Sequence, residues 1–302
     1  MSDVTVIGLG PMGLALADLA LKAGKRVSLW NRSPAKAEPL VQRGAAFAAT
    51  PAAAISASPV TLVCVYDYDA VEAIATGAGF AAASRGRLIV NLGTGSPDDA
   101  RRIDALIRGY GGRYLDGAIQ AAPSQMGQDN TPILVSGPHS AFAEAQPSLK
   151  ILAGNIVHLG EDIGAAAAMD LSTLSYVYGA FAGFLHGARI AESVGIDVAI
   201  YGKLVNAISP SFGAFFEHEG RVIASGDFRI TESPLRISTP AVRRILLTSE
   251  RLGLNTALPT LVDDWLTKAE AAGFANEEVA ATIKILRSGT AASAPEEMRP
   301  HL

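Results

Sequence analysis

The apolar positions of this chain change their pattern about halfway along it. In the first half, short runs rich in β-branched residues alternate with Ala-rich stretches. These runs predict strands over residues 4–8, 26–30, 60–66, 87–92, 113–116, 133–136 and 155–159. Helical patterns separate the early ones, as at 13–23 and 35–42. Strand–helix alternation implies right-handed crossovers and a mostly parallel sheet, hence an α/β fold. After residue 162 the strands stop. Long helical patterns follow over 164–194, 197–218, 239–252, 256–272 and 275–287. The last stretch, SGTAASAPEEMRPHL, is small, polar and Pro-containing and is expected to fray.

Within the first long helix lies AMDLSTLSYVYGAFAGFLHG, residues 168–187. Its uninterrupted part, 171–185, is 15 residues long, with Asp170 before it and His186 and Arg189 after it. A membrane span needs roughly 20 apolar residues, so a buried helix of a soluble protein is expected. Gly179, Gly183 and Gly187 recur every four residues and form a smooth stripe, a packing seam for another helix or a close approach for a ligand. Asp170 and Tyr178 are eight residues apart. In a helix that is ~12 Å along the axis and about 80° around it. The two can line one cavity without touching, and a helical tyrosine leans back toward the N-terminal end. The alternatives are a solvated acid favoured by the helix dipole and a tyrosine used for core packing.

Composition narrows the field. The 302 residues are 49% hydrophobic and 18% charged, which describes a globular chain. A net charge of −4 gives no electrostatic reason to expect nucleic acid or an anionic membrane as partner. The single cysteine, Cys64 in VTLVCVY, reads as a buried core residue. The five histidines show no ligand spacing, so no metal is expected, and no GxSxG elbow marks a hydrolase. The N-terminus MSDVTVIG has no basic segment before its apolar run, which points to the cytoplasm.

The first strand runs into GLGPMG, with Gly8, Gly10 and Gly13 in the GxGxxG places. The first glycine permits the tight turn, the second lets a pyrophosphate approach, and the third lets helix and strand pack closely. The second strand ends in LWNRSPAK. Where an NAD site usually places a carboxylate for the ribose, this chain has Asn31, then Arg32, Ser33 and Lys36. Arg32 can grip a 2′-phosphate bidentately, Ser33 can donate to it and Lys36 adds charge, so NADPH is expected over NADH. The alternative is that Arg32 and Lys36 are ordinary solvated charges. The fourth predicted strand ends in NLGTGSP, where Thr94 and Ser96 can touch the nicotinamide ribose or substrate. The same residues also read as a turn followed by a Ser96-Pro97 helix start.

At these residues the chain resembles the imine reductases and reductive aminases, relatives of the β-hydroxyacid dehydrogenases, over nearly its whole length. GLGPMG with WNRSPAK resembles the family's NADPH fingerprint, and DGAIQAAPSQMG its substrate-side loop. DLSTLSYVYGAFAGFLHGA is the most specific match. The β-hydroxyacid dehydrogenases carry a catalytic lysine where this chain has Asp170, and no lysine occurs between residues 160 and 202. The resemblance implies reduction of imines or iminium ions, with reductive amination of carbonyls as an extension. A 3-hydroxyacid-type dehydrogenase and a catalytically silent NADPH-binding protein are the alternatives. It implies catalytic roles for Asp170, Tyr178 and Thr94. The cofactor set is Gly8, Leu9, Gly10, Pro11, Met12, Gly13, Asn31, Arg32, Ser33, Lys36, Val65 and Asn91. It implies an NADP-binding Rossmann domain with a parallel sheet (1–161), a long interdomain helix (162–195) and an all-α domain (196–302). The substrates would be a small-molecule imine, or an amine plus a carbonyl. Relatives further imply a domain-swapped homodimer with each active site between subunits. Thr94 stands where an efficient reductive aminase is expected to have Asn. Gln120, Ser124 and Gln125 make the 116–127 loop unusually polar.

Overall fold

The computed structural model describes residues 1–288. The chain divides into two compact units, residues 1–176 and 177–302. The terminal stretch expected to fray lies, apart from Ser288, outside the described residues.

The first unit contains eight strands: β1 (Val4–Ile7), β2 (Val27–Trp30), β3 (Ala46–Phe47), β4 (Val60–Val63), β5 (Leu88–Asn91), β6 (Arg113–Ile119), β7 (Pro132–Ser136) and β8 (Asn155–His158). Between them run α1 (Pro11–Lys22), α2 (Glu38–Val41), α3 (Pro51–Ser56), α4 (Tyr68–Ala75), α5 (Phe80–Ser84), α6 (Pro97–Gly109) and α7 (His139–Leu152). The sheet order is β3-β2-β1-β4-β5-β6-β7-β8. Every pair is parallel except β6–β7. Alternate strand residues feed two apolar layers. Val6, Leu62 and Val90 pack with α1 and α7, while Ile7, Val63 and Ile89 pack with α4 and α6. Both faces being covered explains why these strands read as continuous apolar runs.

Three differences from the sequence expectation have physical causes. The two-residue β3 is too short to show any periodicity. The predicted helix at 35–42 is a 3₁₀ turn, Pro34–Ala37, followed by α2, because Pro39 lacks the N–H that would continue one helix. Strand β6 runs past Asp116 to Ile119, and Gly117 lies inside it rather than in a turn. A Cβ on Gly117 would stand 2.8 Å from the Leu134 carbonyl, so the antiparallel approach of β7 requires the glycine.

Helix α8 (Ala165–Ser193) begins in the first unit and continues into the second. Its start is pinned to β7. The buried Ser136 hydroxyl donates to Ile163 O (2.8 Å) and accepts from Ala166 N–H (3.0 Å). Ala166 then packs on Ala118 and Leu134.

The second unit adds α9 (Val198–Ser225), α10 (Leu235–Arg251), α11 (Ala257–Ala271) and α12 (Ile283–Ser288). Helix α10 starts four residues before the expected 239 and carries Pro240 inside it. The predicted helix at 275–287 is broken into 3₁₀ turns, with α12 alone helical. The cause is tertiary. Buried Glu278 is extended, and its carboxylate accepts the backbone N–H of Glu232 and Ser233. Its Oε1 also meets His218 Nε2 (3.2 Å), and a buried oxygen of Glu219 lies nearby. Three metal-ligating side chains thus meet where spacing along the chain showed no pattern. Their hydrogen bonds tie the 231–233 turn to α9. Among the described residues no helix is long and apolar enough to cross a membrane.

Candidate active site

The parallel strands β1, β4, β5 and β6 all end at one edge of the sheet, and the order reverses between β1 and β4. Ligands in such sheets bind at that edge, beside that reversal. A cleft of about 700 Å³ lies there, lined by Gly8 through Gly13, Trp30 through Ser33, Lys36, Val65, Tyr66 and Ile74.

The glycine loop has the geometry of a pyrophosphate cradle. Gly8 adopts φ +93°, and a Cβ there would stand 2.2 Å from Cys64 O. A Cβ on Gly13 would stand 1.9 Å from Gly8 O. Gly10 faces open space, so the backbone there is accessible. Gly10 caps α1 and Pro11 occupies its first position, leaving Met12 and Gly13 in the first turn, where N–H groups lack intrahelical partners. The Leu9 N–H is already used: it donates to Asn31 Oδ1 (3.0 Å), while Asn31 Nδ2 donates to Ser33 O (3.0 Å). Asn31 therefore fastens the end of β2 to the phosphate loop. Arg32, Ser33 and Lys36 are exposed on the rim. Among the described residues, Arg32 and Lys36 form no ion pair with a carboxylate. This loop, helix terminus and pair of free cations fit a phosphorylated dinucleotide.

Cys64 packs against the core but is not fully buried as expected. It is half-buried and lines the cleft, and burial pushes its thiol up to about 11. Val65 also lines the cleft. Asn91 is fully buried at the end of β5, its Oδ1 accepting from Gly93 N–H at 3.3 Å, and it does not line the cleft. Thr94 is exposed in the following turn. Ser96 is taken up by structure. Its hydroxyl accepts from Asp99 N–H and donates to the Asp99 carboxylate at 2.6 Å, forming a capping box for α6.

Asp170 is the marked departure from its bland reading. It is only 4% exposed, not a solvated acid. Gln120, just past the end of β6, donates its Nε2–H to Asp170 Oδ1. Thr173 Oγ1 in turn donates to Gln120 Oε1 at 2.7 Å. Asp170 Oδ2 is buried with no hydrogen-bond partner. Burial raises the Asp170 pKa, and the Gln120 hydrogen bond opposes that rise. Tyr178 lies on the same helix but in the second unit, 67% exposed. Gly187 is a packing glycine, since a Cβ there would meet the Tyr201 hydroxyl at 2.3 Å, whereas Gly179 and Gly183 face open space.

A second carboxylate was not foreseen. Asp116 on β6 is fully buried and accepts hydrogen bonds from the Tyr68 and Tyr114 hydroxyls, the latter at 2.9 Å. Burial pushes its pKa up to about 6, the two hydroxyls pull it down, and the charge of Asp170 pushes it up further. The signal lay in strand parity. Tyr114, Asp116, Ala118 and Gln120 share one face of β6, but the expected strand stopped at Asp116.

Fold and site together define a dinucleotide-dependent oxidoreductase with a separate helical unit. The NAD-binding domain of 6-phosphogluconate dehydrogenase matches residues 3–160, and the C-terminal domain of NADPH-dependent reductive aminase-like proteins matches 162–288. The chain is 30% identical to an NADPH-dependent reductive aminase of Aspergillus oryzae, over 95% of this chain and 97% of that one. Among solved structures, an imine reductase from Myxococcus stipitatus in complex with NADP⁺ superposes with a TM-score of 0.87 at 30% identity, covering 94% of this chain and 99% of that one. A reductive aminase from Aspergillus terreus in complex with NADPH and ethyl levulinate gives 0.86 at 33% identity, covering 95% and 100%. The chain belongs to the imine reductase and reductive aminase family.

The buried Asp116 has a stability consequence. Its pKa is higher folded, about 6, than its ordinary value of 3.8, so the fold favours its protonated form. That contribution is fully present at low pH and is lost as pH rises through about 6. Asp116→Asn keeps an acceptor for both tyrosines and removes the titration. Its unfolding free energy relative to wild type should increase between about pH 4 and pH 6, by up to about 1.4 kcal/mol per pH unit, and level off above. Urea unfolding at several pH values measures this. A difference independent of pH would show that Asp116 does not titrate in that range.

Proposed function

We propose that this protein is an NADPH-dependent oxidoreductase that reduces imines and iminium ions to amines, with Asp170 as the anion that holds the substrate cation. The observation that carries the reading is the buried Asp170 carboxylate, with one oxygen fixed and the other unpaired, at the position where hydroxyacid dehydrogenases of this fold have lysine. Bound NADPH supplies the hydride that reduces the C=N carbon. The rest of the chemistry falls to the protein. An iminium accepts hydride more readily than a neutral imine, and an ammonium group at residue 170 would repel it. A carboxylate at ~4 Å in an effective dielectric near 20 attracts it by about 4 kcal/mol. When protonated, Asp170 can instead donate the proton that activates a neutral imine. Tyr178 would orient the amine, and Thr94 would act at the turn after β5. The absence of lysine from 160 to 202 weighs against a hydroxyacid dehydrogenase. Carbonyl and amine are accepted together only if the site also promotes their condensation.

Arg32, Ser33 and Lys36 would hold the 2′-phosphate, and the first turn of α1 the pyrophosphate. A cytoplasmic location fits a nicotinamide-dependent reductase with one half-buried thiol. A homodimer is supported by α9. Of its 28 residues only Glu219 and Val222 are buried, and Ile200, Leu204, Ile208 and Phe212 stand exposed every four residues, in a stripe that drifts about 40° around the helix at each step. A stripe of that length needs a cover, and a second copy of the helix supplies a matching one. In such a swapped dimer each site would draw on both subunits, and exposed Tyr178 would be enclosed.

Three measurements test this reading. Oxidation of NADPH at 340 nm should proceed with 1-pyrroline-type and dihydroisoquinoline-type imines. Asp170→Ala should lower kcat/KM by about 10²–10³-fold with NADPH affinity retained. No turnover on any imine would sink the proposal. Arg32→Ala should raise KM for NADPH by more than about tenfold, a charged hydrogen bond being lost, and leave NADH nearly unchanged. Equal effects on both cofactors would remove Arg32 from the phosphate site. Light scattering should give twice the 31.3 kDa chain mass, and a monomer would rule out the swapped dimer.

A further inference from the structure

Gln120 stands apart from the rest of its loop. Its backbone N–H donates to Pro132 O at 3.1 Å, which fixes it to β7 just past the end of β6. Its side chain then spans two residues of α8, donating to Asp170 Oδ1 and accepting from Thr173 Oγ1 at 2.7 Å. The direction of this relay follows from chemistry. An ionised carboxylate can only accept, so the Gln120 NH₂ must face Asp170 and its carbonyl must face Thr173. The Thr173 hydroxyl also lies within reach of the carbonyls of Met169 (3.1 Å) and Asp170 (2.9 Å), so it stays over this turn of the helix. One carboxylate oxygen is thereby held, and Oδ2 is left buried without a donor.

We propose that Gln120 is a positioning residue that acts through Asp170: with Thr173 behind it, it clamps one carboxylate oxygen and leaves the other free for a substrate cation. The inference rests on the reading of Asp170 as the cation anchor. A donor to the charged form favours that form, so the clamp counters the desolvation that would otherwise protonate Asp170. The titratable groups around it are Asp116 on β6, whose charge interacts with that of Asp170, and Tyr68 and Tyr114, hydrogen-bonded to Asp116. Apart from Gln120 itself, no side chain donates to the Asp170 carboxylate among the described residues. The clamp is therefore the one side-chain donor, among the described residues, that favours the ionised form of this acid when no cation is bound.

The probe is pyrrolidine, a secondary ammonium ion that stays charged across the neutral range. Its binding to the full-length protein loaded with NADP⁺ is followed by calorimetry at a series of pH values, beside the pH profile of kcat/KM for a preformed cyclic imine. In wild type, binding should weaken toward low pH as Asp170 is protonated. Gln120→Met has similar length and no donor. It should move that midpoint, and the acid limb of kcat/KM, upward by about one pH unit, a tenfold higher proton affinity at Asp170. Thr173→Val should move both in the same direction by less. Gln120→Met/Thr173→Val should match Gln120→Met alone, because Thr173 acts through the glutamine. If Gln120→Met does not fold, the Thr173→Val shift decides. Variants that bind or turn over less with both midpoints unmoved would make Gln120 merely structural and overturn the proposal, with the imine reductase reading intact. A wild type that reduces imines but binds no ammonium ion at any pH would overturn both the clamp and the anchoring role of Asp170.

Discussion

A carboxylate that is buried with one oxygen lacking any donor is unfavourable, and the first unit is arranged to hold one. Asp170 would relax by turning toward solvent or by taking a proton. Three features oppose the first. Ser136 pins the start of α8 to the sheet through Ala166, the fully buried Ala166 packs on Ala118 and Leu134, and Gln120 grips the carboxylate from the end of β6. The first two hold the start of α8 and the third holds the carboxylate itself, and together they fix where the acid stands. The free oxygen is then a deficit that the proposed cation would relieve, so that ligand binding rather than folding would complete the hydrogen bonding.

The other half of the site obeys the opposite constraint. Where α8 carries a buried acid, the lining of the dinucleotide cleft carries none. Position 31 shows how this is met. An acid there would repel a 2′-phosphate, whereas Asn31 keeps an oxygen for the Leu9 N–H and uses its amide to hold the Ser33 carbonyl. The loop between β2 and α2 is thus shaped without negative charge, and Arg32 and Lys36 remain without carboxylate partners among the described residues. Gly8 and Gly13 bring the turn against Cys64 and against each other so closely that no side chain fits, which delivers the first turn of α1 to the same cleft.

Much of this was legible because it depended on local pattern. The glycine spacing, the short apolar strands and the basic residues after β2 each involve a few neighbouring positions. The head of α8 was recognisable by resemblance and a buried helix was expected, but which of its residues are covered was not legible, since helix periodicity does not say which face a neighbouring strand will cover. The continuation of β6 toward Gln120 was hidden by Gly117, a glycine that reads as a turn and in fact admits β7 because it has no side chain. Once β6 is extended through Ile119, strand parity alone aligns Tyr114, Asp116 and Gln120. The His218, Glu219 and Glu278 cluster was invisible for a different reason: its members meet across some sixty residues of chain, and Glu278 breaks the helical pattern in order to reach them.

The two buried acids also bear on why the position is aspartate at all. The charge of Asp170 acts on Asp116, and burial drives both acids toward the neutral form. With aspartate at 170, its charge works against ionisation of Asp116, and positive charge from outside would offset that. An iminium ion does so, and so does the ammonium product formed when the new amine is protonated. Hydride transfer to an iminium gives a neutral amine, so the attraction lapses until that amine takes up a proton; release of the protonated amine then depends on its deprotonation or on opening of the site. With Asp170 as the proposed cation anchor, the same carboxylate would bear on product release as well as on hydride transfer.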